Sequence, residues 1–135
     1  MDADQARQFI QSHHHAVMAT RRRDGTGQMS PVAAATDDDG RIIISTTEPS
    51  AKVKNLRRNP EASLCVISDG FYGPWVQVDG HVTIESLPEA MDGLVRYYRK
   101  VAGEHPDWDD YRNAMQLEQR VLLHLTVERV SPRSG

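Results

Sequence analysis

Four cations, Lys52, Lys54, Arg57 and Arg58, stand in the stretch Ser50-Ala51-Lys52-Val53-Lys54-Asn55-Leu56-Arg57-Arg58 with no acid among them. Glu48-Pro49-Ser50 punctuates the chain just before it, and Ser50 is a plausible N-cap for a short helix over 50–58 that Asn59-Pro60 ends. A helix start presents free backbone N–H groups and the positive end of a dipole, so it favours an anion. Lys52 in the first turn has the wrong sign for that dipole, and a bound phosphate would explain its presence. A solvated basic face on a surface helix explains the same composition, so both readings stand at this point.

Other clusters have simpler explanations. Arg21-Arg22-Arg23 precedes the turn dipeptide Asp24-Gly25 and reads as solvated turn charge. His13, His14 and His15 are consecutive at the start of a strand-like run, so they alternate faces and converge poorly on one metal ion. Glu104, Asp107, Asp109 and Asp110 lie between two helical stretches, where Asp107 fits an N-cap and the next acids fit a first turn. No Ser/His/Asp order, nucleophile elbow, P-loop or GxGxxG is present, and no residue is singled out as catalytic. If the protein is an enzyme, a bound cofactor must carry the chemistry.

The elements that would position the basic segment are legible from periodicity. Residues 3–12 carry Ala6, Phe9 and Ile10 at helical spacing. Strand-like runs follow at 15–20, at 28–36 with Pro31 marking an edge strand or an irregular middle, and at 41–47. Two more cover 62–67 and 75–84, where Gly80 interrupts clear alternation as a bulge or tight bend would. A helix is expected over 88–102, a second over 107–118, and a last strand at 121–127. Six strands joined mostly by short connections, with grouped rather than alternating helices, predict a mainly β (α+β) fold. Its expected form is a six-stranded antiparallel barrel with peripheral helices.

The totals agree with one domain over 1–135. A net charge of −3 gives no electrostatic reason to expect nucleic acid. The single cysteine, Cys65, excludes an intramolecular disulfide and lies in an apolar run that predicts a buried, inert thiol. The acidic start Met1-Asp2-Ala3-Asp4 is unlike a signal peptide, and no apolar run has the length of a membrane span. A cytoplasmic protein is expected.

The stretch from Ser45 to Ser63 resembles the phosphate-binding segment of pyridoxamine-phosphate-oxidase-like proteins, and more narrowly the actinobacterial, F420-dependent B branch of the flavin/deazaflavin oxidoreductases. Three further stretches carry the same resemblance in the same order. They are Ala16–Thr20 with Ser30-Pro31-Val32, the strand with Val78-Asp79-Gly80, and Tyr97 to Arg112 leading into Arg120-Val121-Leu122-Leu123. The resemblance implies an FMN-binding split barrel fold, a homodimer with the cofactor at the subunit interface, and coenzyme F420 as cofactor with FMN as the alternative. It implies that the tricyclic ring lies against Ser30, Pro31, Val32, Ser45 and Thr46, and that Ser50, Lys52 and Asn55 hold the phosphate. Arg57 and Arg58 would assist the phosphate or the polyglutamate tail, while Tyr72 and Trp75 would reach the site from the partner subunit. The implied activity is hydride transfer from reduced F420 to a small conjugated acceptor such as an enone, quinone or bilin. An FMN-dependent oxidase or flavin reductase, or a non-catalytic cofactor or tetrapyrrole carrier, would use the same fold.

Overall fold

A computed structural model describes residues 1–132. The chain begins with helix α1 (Ala3–Ser12), capped by an Asp2/Gln5 capping box, and then builds strands β1 (His15–Arg21) and β2 (Gly27–Ala33). The two-residue β3 (Ala35–Thr36) and β4 (Ile42–Thr47) lead into helix α2 (Ala51–Arg58). Strands β5 (Glu61–Ile67) and β6 (Trp75–Glu85), helices α3 (Met91–Ala102) and α4 (Trp108–Leu117), and strand β7 (Arg120–Ser131) complete it.

All strand pairs are antiparallel, in the order β2-β1-β5-β6-β7-β4-β3. The sheet curls into a split barrel, with seven strands where six were expected. The extra strand arises because the run expected at 28–36 divides at Ala34: its N–H makes the last bond of the β1–β2 register, to His14 O at 2.8 Å, and Ala35 and Thr36 pair with β4 instead. The chain thereby crosses from β2 at one edge of the sheet to β3 at the other. Pro31 sits on edge strand β2, opposite Val17, where its missing N–H costs no ladder bond.

Strand alternation divides the apolar residues into two cores. Met18, Leu64, Val66, Val78, Ile42, Ile44, Val121 and Leu123 point into the barrel, which α1 and α2 plug with Ile10, Val53 and Leu56. On the outer side of β4 and β7, Ile43 and Leu122 pack under α3 and α4 with Leu94, Tyr111 and Met115. Helix α3 starts at Met91, later than periodicity suggested, because residues 88–90 form a turn. Cys65 is only partly buried, contrary to expectation, because it falls on the outward parity of β5. No described helix is long and apolar enough to cross a membrane.

Gly80 sits where the β6–β7 register shifts, as its interruption of the alternation suggested. A Cβ built there would lie 1.8 Å from Thr126 O, a backbone atom that cannot yield without parting the strands. Gly80→Ala is therefore expected to cost about 3 kcal/mol or more, read as a lowered midpoint in urea unfolding.

Candidate functional site

Ser50 caps α2 as its position suggested, its side chain accepting from the Val53 N–H at 3.4 Å. Thr46 Oγ1 donates to Ser50 Oγ at 3.5 Å and accepts from Lys52 Nζ at 3.3 Å. Three polar side chains thus converge where β4 runs into α2. The first turn of α2 holds no acid, and its Ala51 and Lys52 N–H groups find no acceptor among the described residues.

Lys52 is the focus of this arrangement. It is half-buried, and no carboxylate among the described residues lies within salt-bridge distance of its ammonium. Burial first, and then the Arg120 guanidinium, hold it below the usual lysine range. A cation that is partly desolvated, set near a second cation and left without an acid is poorly satisfied by the chain alone. A phosphate or similar anion would complete it.

The other members of the basic segment go elsewhere, because a helix turns each successive residue by about 100°. Arg57 forms a forked pair with Glu48 at 2.9 and 2.8 Å, and that hydrogen bonding holds its proton more tightly than usual. Asn55 is buried, with Nδ2 donating to Thr20 Oγ1 at 3.1 Å and Oδ1 accepting from Arg58 at 3.1 Å. Both ends of its amide are engaged inside the protein. Arg58 also donates to Arg21 O at 2.7 Å. A shallow hollow beside these residues is lined by Arg23, Ala51, Lys54, Asn55, Arg57 and Arg58, with no acid. The turn arginines read as solvated charge thus contribute Arg23 to a basic surface shared with α2.

The strands expected to meet a ring also separate by parity. Thr46, opposite Val121, points to the barrel interior, whereas Ser45, opposite Leu122, points to the α3/α4 side. On β2, Ser30 and Val32 share the inward face of Met18 and Ala16, while Pro31 points outward and is exposed. Ser30 Oγ is buried with no hydrogen-bond partner, an orphaned hydroxyl in the strand expected to contact a cofactor. Tyr72 and Trp75 belong to the β5–β6 hairpin, about 20 Å along β5 from its junction with α2. Neither side chain hydrogen-bonds to a described residue. A single copy of the chain therefore does not gather all the sequence-derived candidates into one cluster.

Two residues that the sequence did not single out stand beside this region. Arg120, cross-strand from Thr47, is the second cation near Lys52. Tyr97 Oη donates to Ala33 O at 2.8 Å from the far helix α3. Neither has a local signal, since strand register and helix docking bring them in across long separations. Among the described residues no three His, Cys, Asp or Glu side chains are grouped to hold a metal. His14 Nδ1 lies 2.8 Å from Ala34 O, His13 stacks on Phe9, and Asp107 caps α4.

The residues present suit an anionic cofactor head: an unpaired ammonium, two hydroxyls and free helix N–H groups, with an orphaned hydroxyl on β2. Several known proteins share this fold. A protein described as an F420 reductase superposes with a TM-score of 0.71 at 21% identity, over 92% of this chain and 94% of that one. A conserved hypothetical protein from Mycobacterium tuberculosis gives 0.78 at 24% identity, over 100% and 91%. A heme binding protein from Mycobacterium smegmatis gives 0.72 at 19% identity, over 95% of this chain and 52% of that one. A family described as Pyridoxamine 5'-phosphate oxidase matches residues 3–134. The chain belongs to the pyridoxamine 5'-phosphate oxidase family, a family of split-barrel proteins that includes oxidoreductases.

Proposed function

We propose that this protein is an F420-dependent oxidoreductase of the actinobacterial B branch, acting in the cytoplasm as a homodimer and reducing a small conjugated acceptor such as an enone, quinone or bilin. The observation that carries the proposal is Lys52, a half-buried ammonium without a carboxylate, set against the Thr46 and Ser50 hydroxyls at a helix start. Lys52, Ser50, Thr46 and the first N–H groups of α2 hold the phosphate. Arg58, Lys54 and Arg23 supply a basic surface for carboxylates beyond it, while Arg57 and Asn55 act mainly through their bonds to Glu48 and Thr20. Ser30, Val32 and Thr46 flank the ring with their side chains, and Pro31 and Ser45, whose side chains face the other way, flank it with backbone.

When bound, reduced F420 supplies a hydride, so the chain need only orient the acceptor and exclude water. Tyr72 and Trp75, exposed on the hairpin, cover the partner's site. The test is turnover: reduced F420 with a panel of enones, quinones and bilins, followed as recovery of oxidised F420. Binding without turnover on any acceptor points to a carrier, a reading favoured by the likeness to a heme binding protein. FMN is the alternative cofactor, favoured by the family's description as an oxidase. Tightly held FMN would colour the purified protein yellow.

The lowered Lys52 value gives a pH prediction with a definite sign. Lys52 loses its charge at lower pH than an ordinary lysine, and a bound phosphate favours the charged form. Affinity is expected to fall as pH rises from about 7 to about 10, accompanied by proton uptake on binding. Lys52→Arg should flatten that fall, measured as Kd against pH by isothermal titration calorimetry.

A further inference from the structure

Helix α3 reaches over the crossover between β2 and β3 with two donors one turn apart. Tyr97 Oη donates to Ala33 O at 2.8 Å, and Lys100 Nζ donates to Thr36 O. These two carbonyls bracket the segment where the chain leaves one edge of the sheet for the other, with Ala34 N–H tied to His14 O between them. Tyr97 also stands by β4: it lines a hollow with Ser45 and Arg120, and the Ser45 backbone N–H and the Arg120 charge both favour its ionised form. Burial outweighs both, so the phenol stays protonated and keeps its donor role. Tyr97 therefore stands between the end of β2, which its hydroxyl bonds, and the β4 edge that the two-residue β3 leaves uncovered beyond Ile43.

We propose that Tyr97 is a positioning residue that sets the spacing between Ser30-Pro31-Val32 and Ser45-Thr46, and so the fit of a cofactor ring between them. The inference rests on the cofactor placement proposed above. Its physical basis is that an edge strand has only one ladder neighbour: the β1 ladder holds β2 as far as the Ala34–His14 bond, and the Tyr97 and Lys100 bonds then fix where the crossover lies against α3. With Tyr97 reduced to phenylalanine, the partly buried Ala33 carbonyl loses this donor and the edge can shift.

Tyr97→Phe tests this, with Tyr111→Phe as the control, because Tyr111 lines the same hollow but its hydroxyl donates to Leu94 O within the helical layer rather than to the β2–β3 crossover. F420 and FMN are titrated into each variant, with inorganic phosphate as competitor. Tyr97→Phe is expected to weaken cofactor binding about three- to tenfold and to move the bound absorption spectrum toward that of free cofactor. The phosphate competition constant should not change, and Tyr111→Phe should alter neither spectrum nor affinity. If Tyr97→Phe does not fold, Lys100→Met loosens the same crossover from Thr36 and should give the same spectral change. Unchanged spectrum and affinity, or equal changes in Tyr111→Phe, overturn the inference. Lys52→Ala separates the two claims: a normal loss there with an unaffected Tyr97→Phe sinks only the role of Tyr97. An unaffected Lys52→Ala with a weakened Tyr97→Phe sinks the phosphate site instead.

Discussion

Lys52→Ala is expected to weaken binding of a phosphate-bearing cofactor by about ten- to a hundredfold, while the protein folds normally. The size follows from removing one charge-assisted phosphate contact, about 1.5–3 kcal/mol. The site makes Lys52 more important than its neighbours. Arg57 is already neutralised by Glu48, and Arg58 is tied through Nη2 to Arg21 O and Asn55 Oδ1, away from the Thr46–Ser50–Lys52 cluster. Thr46 and Ser50 bring hydroxyls but no charge. Arg57→Ala should therefore change affinity far less than Lys52→Ala, and Lys52→Arg should restore much of it. Equal losses in Arg57→Ala and Lys52→Ala would instead indicate a diffuse electrostatic surface. Calorimetric titration of the three variants at low ionic strength distinguishes these outcomes.

Val17→Arg is expected to convert a dimer into a monomer and to reduce cofactor binding with it. Val17 is 39% exposed, Met29 68% and Trp75 46%, and Phe71 (73%) and Tyr72 (98%) extend from the adjoining hairpin. Among the described residues the only other exposed large hydrophobic is Leu117. The register makes the patch continuous: Val17 lies beside Pro31 on one side and Cys65 on the other, and Ile67 lies beside Trp75. Helices α3 and α4 cover the outer side of β4 and β7, but no element among the described residues covers this face. Such a patch is the expected mark of an interface, and a second copy is the partner the proposal assigns to it. A guanidinium at its centre would be buried without a counter-charge, at a cost of about 3 kcal/mol or more. Light scattering should show the wild type at twice the chain mass and Val17→Arg at the chain mass. A dimer that persists in Val17→Arg would move the interface to another face.

Much of the fold was legible because it depends on local pattern. Alternation in 15–20 and 75–84, the helical period from Met91 to Val101, and the capping residues Ser50 and Asp107 each carry their own signal. Ala34 carries none, since the run at 28–36 is two strands only because Ala35 and Thr36 pair with β4 instead of continuing along β1. The site was legible in part, for the same reason. Lys52 and Ser50 could be placed from the helix start, but composition alone could not separate Lys52 from Arg57. That separation depends on which side of α2 faces β4 and on Glu48 lying within reach of Arg57. Ser45 and Thr46 were grouped as neighbours in sequence, yet strand parity sends them to opposite faces. Tyr97 and Arg120 were invisible as site residues because they arrive through helix docking and cross-strand register.

The central claim is that Lys52 and its hydroxyl partners hold the phosphate of coenzyme F420. The most direct measurement is a fluorescence titration of the purified wild-type protein with F420 and, in parallel, with FMN. The expected result is saturable quenching of F420, tighter binding of F420 than of FMN, and the weakening stated above in Lys52→Ala. No binding of F420, or F420 binding that Lys52→Ala leaves unchanged, would contradict it.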